Sequence, residues 1–119
     1  MYLRQQLTSI GEDIKDLRYN IKKKFKKAAQ IAKSVLDICQ TNADTQTILE
    51  AEAYYYVQYA NYLMFKRQFE ESLELLKKAF KIYENISKIR DTIESISYKE
   101  KINNIKIMIR LCVYNLNVI

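Results

Sequence analysis

The chain has 119 residues, of which 20 are Lys or Arg and 14 are Asp or Glu, with no His, one Gly, no Pro and 49% hydrophobic residues. That apolar content supplies one modest core, and therefore a single domain is expected over residues 1–119. Lack of His removes the commonest general base and metal ligand, and near lack of Gly removes phosphate-cradling loops and strained nucleophile turns. An enzyme is the weakest reading, and neither a cofactor nor a metal is expected.

Without Gly and Pro to punctuate strands and tight turns, an all-α fold of four to five helices is predicted. A short first helix is expected over residues 2–8, stopping near Gly11, because Ser9 and Glu12 have capping-box spacing. A second helix follows. In it Ile14, Leu17, Ile21, Phe25, Ala28, Ala32, Val35 and Cys39 recur at steps of three and four, predicting one continuous stripe turned toward a core. Lys22, Lys23, Lys26 and Lys27 fall outside the stripe, while Lys15, Arg18, Lys22 and Lys26 stack on one of its flanks.

The polar break "QTNADTQ" offers two caps, after which a helix over residues 45–66 contains a tyrosine-rich run. A short turn near Arg67 and Gln68 precedes an amphipathic helix over residues 69–87, with Ser72, Leu73, Leu76, Ala79, Phe80 and Tyr83 on one side. Asp91, three positions before Glu94, is placed to cap a last helix whose stripe is Ile102, Ile105, Ile109, Cys112 and Leu116. Cys39 and Cys112 lie far apart on apolar stripes, without metal-ligand spacing, so buried free thiols in a reducing compartment are expected. The run "AYYYVQYANYLMF" is too short and too polar to span a bilayer, and the start lacks a secretory pattern, so a soluble intracellular chain is expected.

Charge is unevenly spread. Residues 1–33 carry nine bases and three acids, whereas residues 34–65 carry four acids and no base. Such asymmetry points to an anionic partner. The hairpin positions Tyr56, Tyr59, Ala60, Leu63, Phe69, Ser72, Leu76 and Ala79 resemble the alternating small and large core of a tetratricopeptide repeat. Small residues let two antiparallel helices approach, and a single such unit needs further helices stacked on it.

Longer stretches carry a more specific likeness. "FKKAAQIAKSVLDIC", "TILEAEAYYYVQYANYLMFKRQFEESLELLKKAFKIYENI" and "IRLCVYNLN", in this order and spacing, resemble the RNA-binding domain of the 68-kilodalton protein of the eukaryotic signal recognition particle. The resemblance runs from Leu17 to Asn117. It implies a tetratricopeptide-like helical bundle, one piece of a longer protein, that binds the particle's RNA as a non-catalytic scaffold. That work serves co-translational targeting of proteins to the endoplasmic reticulum. The implied partners are signal recognition particle RNA and, through regions outside this chain, other proteins of the particle. The implied location is the cytoplasm, with association to the endoplasmic reticulum through the particle and no membrane insertion. The family's arginine-rich segment ahead of the lysine-rich helix is missing from this sequence.

Read from the residues alone, Lys22, Lys23, Lys24, Lys26 and Lys27 form a solvated helix face; with the resemblance added, phosphate contact is the better reading. The RNA-binding set expected is Lys15, Arg18, Lys22, Lys23, Lys26 and Lys27, where Arg18 is the one side chain suited to a two-pronged phosphate contact. Packing is favoured over base stacking for Tyr56 and Tyr59, and Tyr55 and Tyr62 are expected to meet a neighbouring helix or a partner. Arg110, just off the last stripe, is open to pairing with a carboxylate or to contacting RNA. The alternative to RNA binding is a tetratricopeptide-like protein-interaction module; a basic amphipathic helix at an anionic membrane is disfavoured, because the apolar stripe is needed for the core.

Overall fold

Residues 2–89 and 92–118 are described by a computed structural model, in which they form four helices: α1 (Tyr2–Asn42), α2 (Thr45–Phe65), α3 (Phe69–Ile89) and α4 (Thr92–Val118). Every helix runs antiparallel to the one before it: Ser72 reaches Ala60 between α2 and α3, and Tyr83 meets Tyr98 while Ser72 meets Cys112 between α3 and α4. Phe25 meets Phe65 with ring centroids 5.7 Å apart, whereas further along α1 the Lys33 ammonium lies 5.5 Å over Tyr55. The α1–α2, α2–α3 and α3–α4 pairs carry the packing. The result is a sequential array, 65 × 33 × 26 Å, with a radius of gyration of 18.1 Å. A compact chain of this size would have about 13–14 Å.

The break at Gly11 does not occur: α1 runs unbroken for 41 residues. A helical glycine costs only about 1 kcal/mol relative to Ala, too little to end a helix whose hydrogen bonds continue on both sides. The Ser9 and Glu12 pattern thus lies inside the helix, and Thr8 there bonds back to the Arg4 carbonyl at 2.8 Å. The helix that follows the polar break does begin at a cap, with the Asp44 carboxylate accepting from the Thr47 amide at 2.8 Å. At the other end of α2, the Gln68 amide donates to the Leu63 carbonyl and the Arg67 amide to the Met64 carbonyl. Arg67 closes this Schellman turn at φ 64°, a left-handed conformation that glycine adopts more easily. Asp91 lies outside the described residues.

The core sits among α2, α3 and α4: Ala53, Ala60, Leu76, Ala79, Tyr83, Ile86, Ile102, Ile105 and Cys112 are buried together. Small side chains draw α2 and α3 close, and the buried Ser72 hydroxyl donates to the Ala60 carbonyl at 3.0 Å. Cys112 reaches that same hydroxyl at 3.7 Å, and burial pushes its thiol up from the usual range, with Ser72 acting against the shift. Tyr98 donates to Glu50 at 2.5 Å, tying α4 back to α2 across α3. The α3 and α4 stripes are those expected, with Leu73, Phe80, Ile109 and Leu116 half-buried at their margins. Both cysteines are free, Cys112 buried and Cys39 half-buried.

The α1 stripe is corrected. Only Ala32 among its expected positions is buried, Ile21, Phe25, Ala28 and Cys39 are half-buried, and Ile14, Leu17 and Val35 are exposed, Leu17 by 59%. The line against α2 is instead Ala29, Ala32 and Leu36, with Phe25 at its edge. Geometry explains this. At 21 residues α2 spans about 30 Å against about 60 Å for α1, so it ends opposite Phe25 and leaves the first turns of α1 without a helical neighbour among the described residues. Leu3, Leu7, Ile10 and Ile14 project past it, exposed.

Candidate nucleic-acid interface

Helix α1 displays its cations because its neighbour covers one side only. Lys15, Arg18, Lys22, Lys23, Lys26 and Lys27 are all exposed. The ion pairs seen among described residues are Lys33 with Asp37 at 3.3 Å and Lys88 with Glu84 at 3.6 Å, so none of these six is neutralised by a described carboxylate. Lys23 lies 5.0 Å over the Tyr19 ring. Lys22 with Lys26, and Lys23 with Lys27, are like charges one turn apart, each pair costing a few tenths of a kcal/mol. An anion laid along the helix would relieve that repulsion.

The six do not form one patch. Lys15, Arg18 and Lys22 gather with Lys66, from the end of α2, around a shallow depression of about 310 Å³. Lys26 follows on the same side, in the groove where α1 meets α2. Lys23 and Lys27 join Lys24 beside Ala28 and Ile31 on a different face. Of the sequence-expected set, Lys15, Arg18, Lys22 and Lys26 are brought along one flank and Lys23 and Lys27 are not.

Sequence reasoning overlooked Lys66 and Lys33 as members of this surface. The signal was present: the link between α1 and α2 is short, so α2 must retrace α1, and residues equally far from the link face each other. Phe25 against Phe65 and Lys33 against Tyr55 follow that mirror rule, which puts Lys66 beside the basic turns of α1. Tyr55 meets α1 as expected, under the Lys33 ammonium, and Tyr62 lines the α1–α2 groove with Tyr55 and Tyr59. Tyr59 is only half-buried there rather than a core residue, whereas half-buried Tyr56 packs against the core and donates to Glu52 at 2.6 Å. That bond pushes the Tyr56 phenol up to about 12. Arg110 is exposed and makes no ion pair with a described residue.

Fold and site together define a class: an all-helical protein that turns a cationic first helix outward. No three His, Cys, Asp or Glu among the described residues are grouped to hold a metal ion, and no described helix is long and apolar enough to cross a membrane. The family model described as RNA-binding signal recognition particle 68 matches residues 1–118, and the chain belongs to that family. Signal recognition particle subunit SRP68 of Dictyostelium discoideum is 30% identical over 98 residues, 82% of this chain and 16% of that protein. The subunit of the same name from Drosophila melanogaster is 30% identical over 101 residues, 84% of this chain and 17% of that protein. The chain thus spans about one sixth of the length of these relatives.

Proposed function

We propose that this chain is a single helical RNA-binding domain, part of a longer protein, that binds signal recognition particle RNA without catalysing a reaction. It works as a scaffold in targeting nascent proteins to the endoplasmic reticulum, in the cytoplasm and beside the particle's other proteins. The hairpin of α2 and α3 serves as its tetratricopeptide-like centre. The observation that carries the reading is the flank of α1, where Lys15, Arg18, Lys22 and Lys26 stand exposed and unpaired by any described acid in a chain of this family. Lys23 and Lys27 extend the binding surface on the adjoining face.

Each phosphate neutralised by such a side chain releases condensed counterions, so affinity falls steeply with salt and carries little base information. Arg18 supplies the directed, two-pronged interaction and the lysines act as point charges. Recognition is by the shape of a folded RNA, through phosphates and 2′-hydroxyls. The test is a salt titration with a structured RNA. Changing Lys22, Lys23, Lys26 and Lys27 together to Gln should weaken binding and reduce the salt slope by roughly one for every phosphate no longer neutralised. An unchanged slope in a folded variant refutes the proposal.

A further inference from the structure

The groove between α1 and α2 encloses about 530 Å³, in the range of sites that hold small organic molecules. Its wall on α2 is a ladder of rings one turn apart: Tyr55 stacks on Tyr59 at 5.9 Å and 24°, and Tyr59 leans on Tyr62 at 6.4 Å and 57°. Lys26, Lys33 and Lys66 stand at its margins. Two of them already use the ring faces, Lys33 at 5.5 Å over Tyr55 and Lys66 at 5.2 Å over Tyr62. Gln30, Ser34 and Gln68 add amide and hydroxyl groups, and no carboxylate of a described residue lines the groove. Asp37 pairs with Lys33 at the rim, in an exposed and therefore weak pair, and Glu52 holds the hydroxyl of Tyr56 next to Tyr55.

We infer that this groove is a binding site for an unpaired nucleotide, its base against the Tyr59 and Tyr62 rings and its phosphate on Lys26 and Lys66. Aromatic rings half-buried in a cleft, rimmed by cations and with no described carboxylate in the lining, match the two halves of a nucleotide, one planar and apolar, the other anionic. A duplex cannot present a base face there, whereas a looped or frayed strand can. The depression around Lys15, Arg18 and Lys22 shares Lys66 with the groove, so a strand leaving it meets the next cations directly. The tyrosines thus do more than pack: they give the scaffold a preference for unpaired over paired RNA.

This inference rests on the RNA-binding proposal and is tested so that the two can fail separately. The full chain is titrated with a short oligouridylate strand and, in parallel, with a blunt RNA duplex. Tyr59→Leu and Tyr62→Leu, which keep the apolar bulk, should each weaken oligouridylate binding roughly tenfold while leaving duplex binding as it was. Tyr59→Phe, which keeps the ring, should retain oligouridylate affinity. Oligouridylate carrying bromouridine should crosslink on irradiation to Tyr59 or Tyr62 of the unsubstituted chain, a readout that holds even where a Leu variant fails to fold. Folded Leu variants that bind oligouridylate as before, or crosslinks confined to other regions, overturn the inference. If duplex binding still disappears on neutralising the four lysines, the RNA-binding proposal survives that outcome. If neither RNA responds to those lysines or to the tyrosines, both fail.

Discussion

Helices α1 and α3 are both amphipathic, yet they end differently. Helix α3 lies between α2 and α4, so Phe69, Ser72, Leu76, Ala79, Tyr83 and Ile86 are all buried. Helix α1 has α2 on one side only and outruns it. Leu3, Leu7, Ile10, Ile14 and Leu17 remain in solvent, and so do Ile31, Val35 and Ile38 on the turns that α2 does flank. Apolar periodicity shows that a helix has a face to bury; the position of the helix in the array decides whether anything buries it. The cost is exposed apolar surface, and the return is a helix whose charged flank stays open to a partner.

The comparison can be broken most sharply by removing one leucine from each helix. Leu76→Ala should lower the unfolding free energy by about 2–5 kcal/mol, because a fully buried side chain leaves a cavity. Leu7→Ala, on the projecting part of α1, should move it by less than about 0.5 kcal/mol. Urea titrations of the two variants decide, and equal decreases would mean that the projecting stripe is covered in solution.

Alkaline pH should act next, and it should act through the buried side. Burial pushes the Tyr83 phenol up to about 12, with nearby Glu50 adding to the effect, and the bond to Glu52 does the same for Tyr56. In the unfolded chain both phenols ionise near 10. Between pH 10 and 12 the unfolded state therefore sheds protons that the native state keeps, and stability present below pH 10 is lost as pH rises through that window. Urea midpoints measured across the window should fall, and Tyr83→Phe should flatten the decline.

A small gain in stability is expected from the open helix. Gly11 has no neighbour within 4 Å of an added Cβ, so Gly11→Ala should stabilise α1 by about 0.5–1 kcal/mol and raise helical circular dichroism. A fall in helicity would restore the break that the Ser9 and Glu12 spacing suggests.

Much of the fold was legible in the sequence. Asp44 caps where a polar break was expected, Arg67 and Gln68 turn where a turn was expected, and Ile102, Ile105 and Cys112 are buried on the stripe their spacing drew. Each of these follows from local chemistry within a few residues. The misreading of α1 has the same origin, since a capping pattern and an apolar stripe describe what a segment can do, and a continuous helix with one open side satisfies both. Among the candidate binding residues, the exposure of Lys22, Lys23, Lys26 and Lys27 was legible from their place off the stripe, whereas their division between two faces was not.

By itself the sequence determined four things about this protein: helical secondary structure, most helix boundaries, the apolar faces of α3 and α4, and the concentration of positive charge near the start. Those depend on residue type and spacing, which short-range sterics and hydrogen bonding read directly. Tertiary structure alone decided that α2 covers only part of α1, that the cations divide between two faces of α1, and that Tyr55, Tyr59 and Tyr62 line a groove. Relative helix lengths and the antiparallel return of α2 set these, because packing brings together residues that are distant in the chain and carry no local mark of one another.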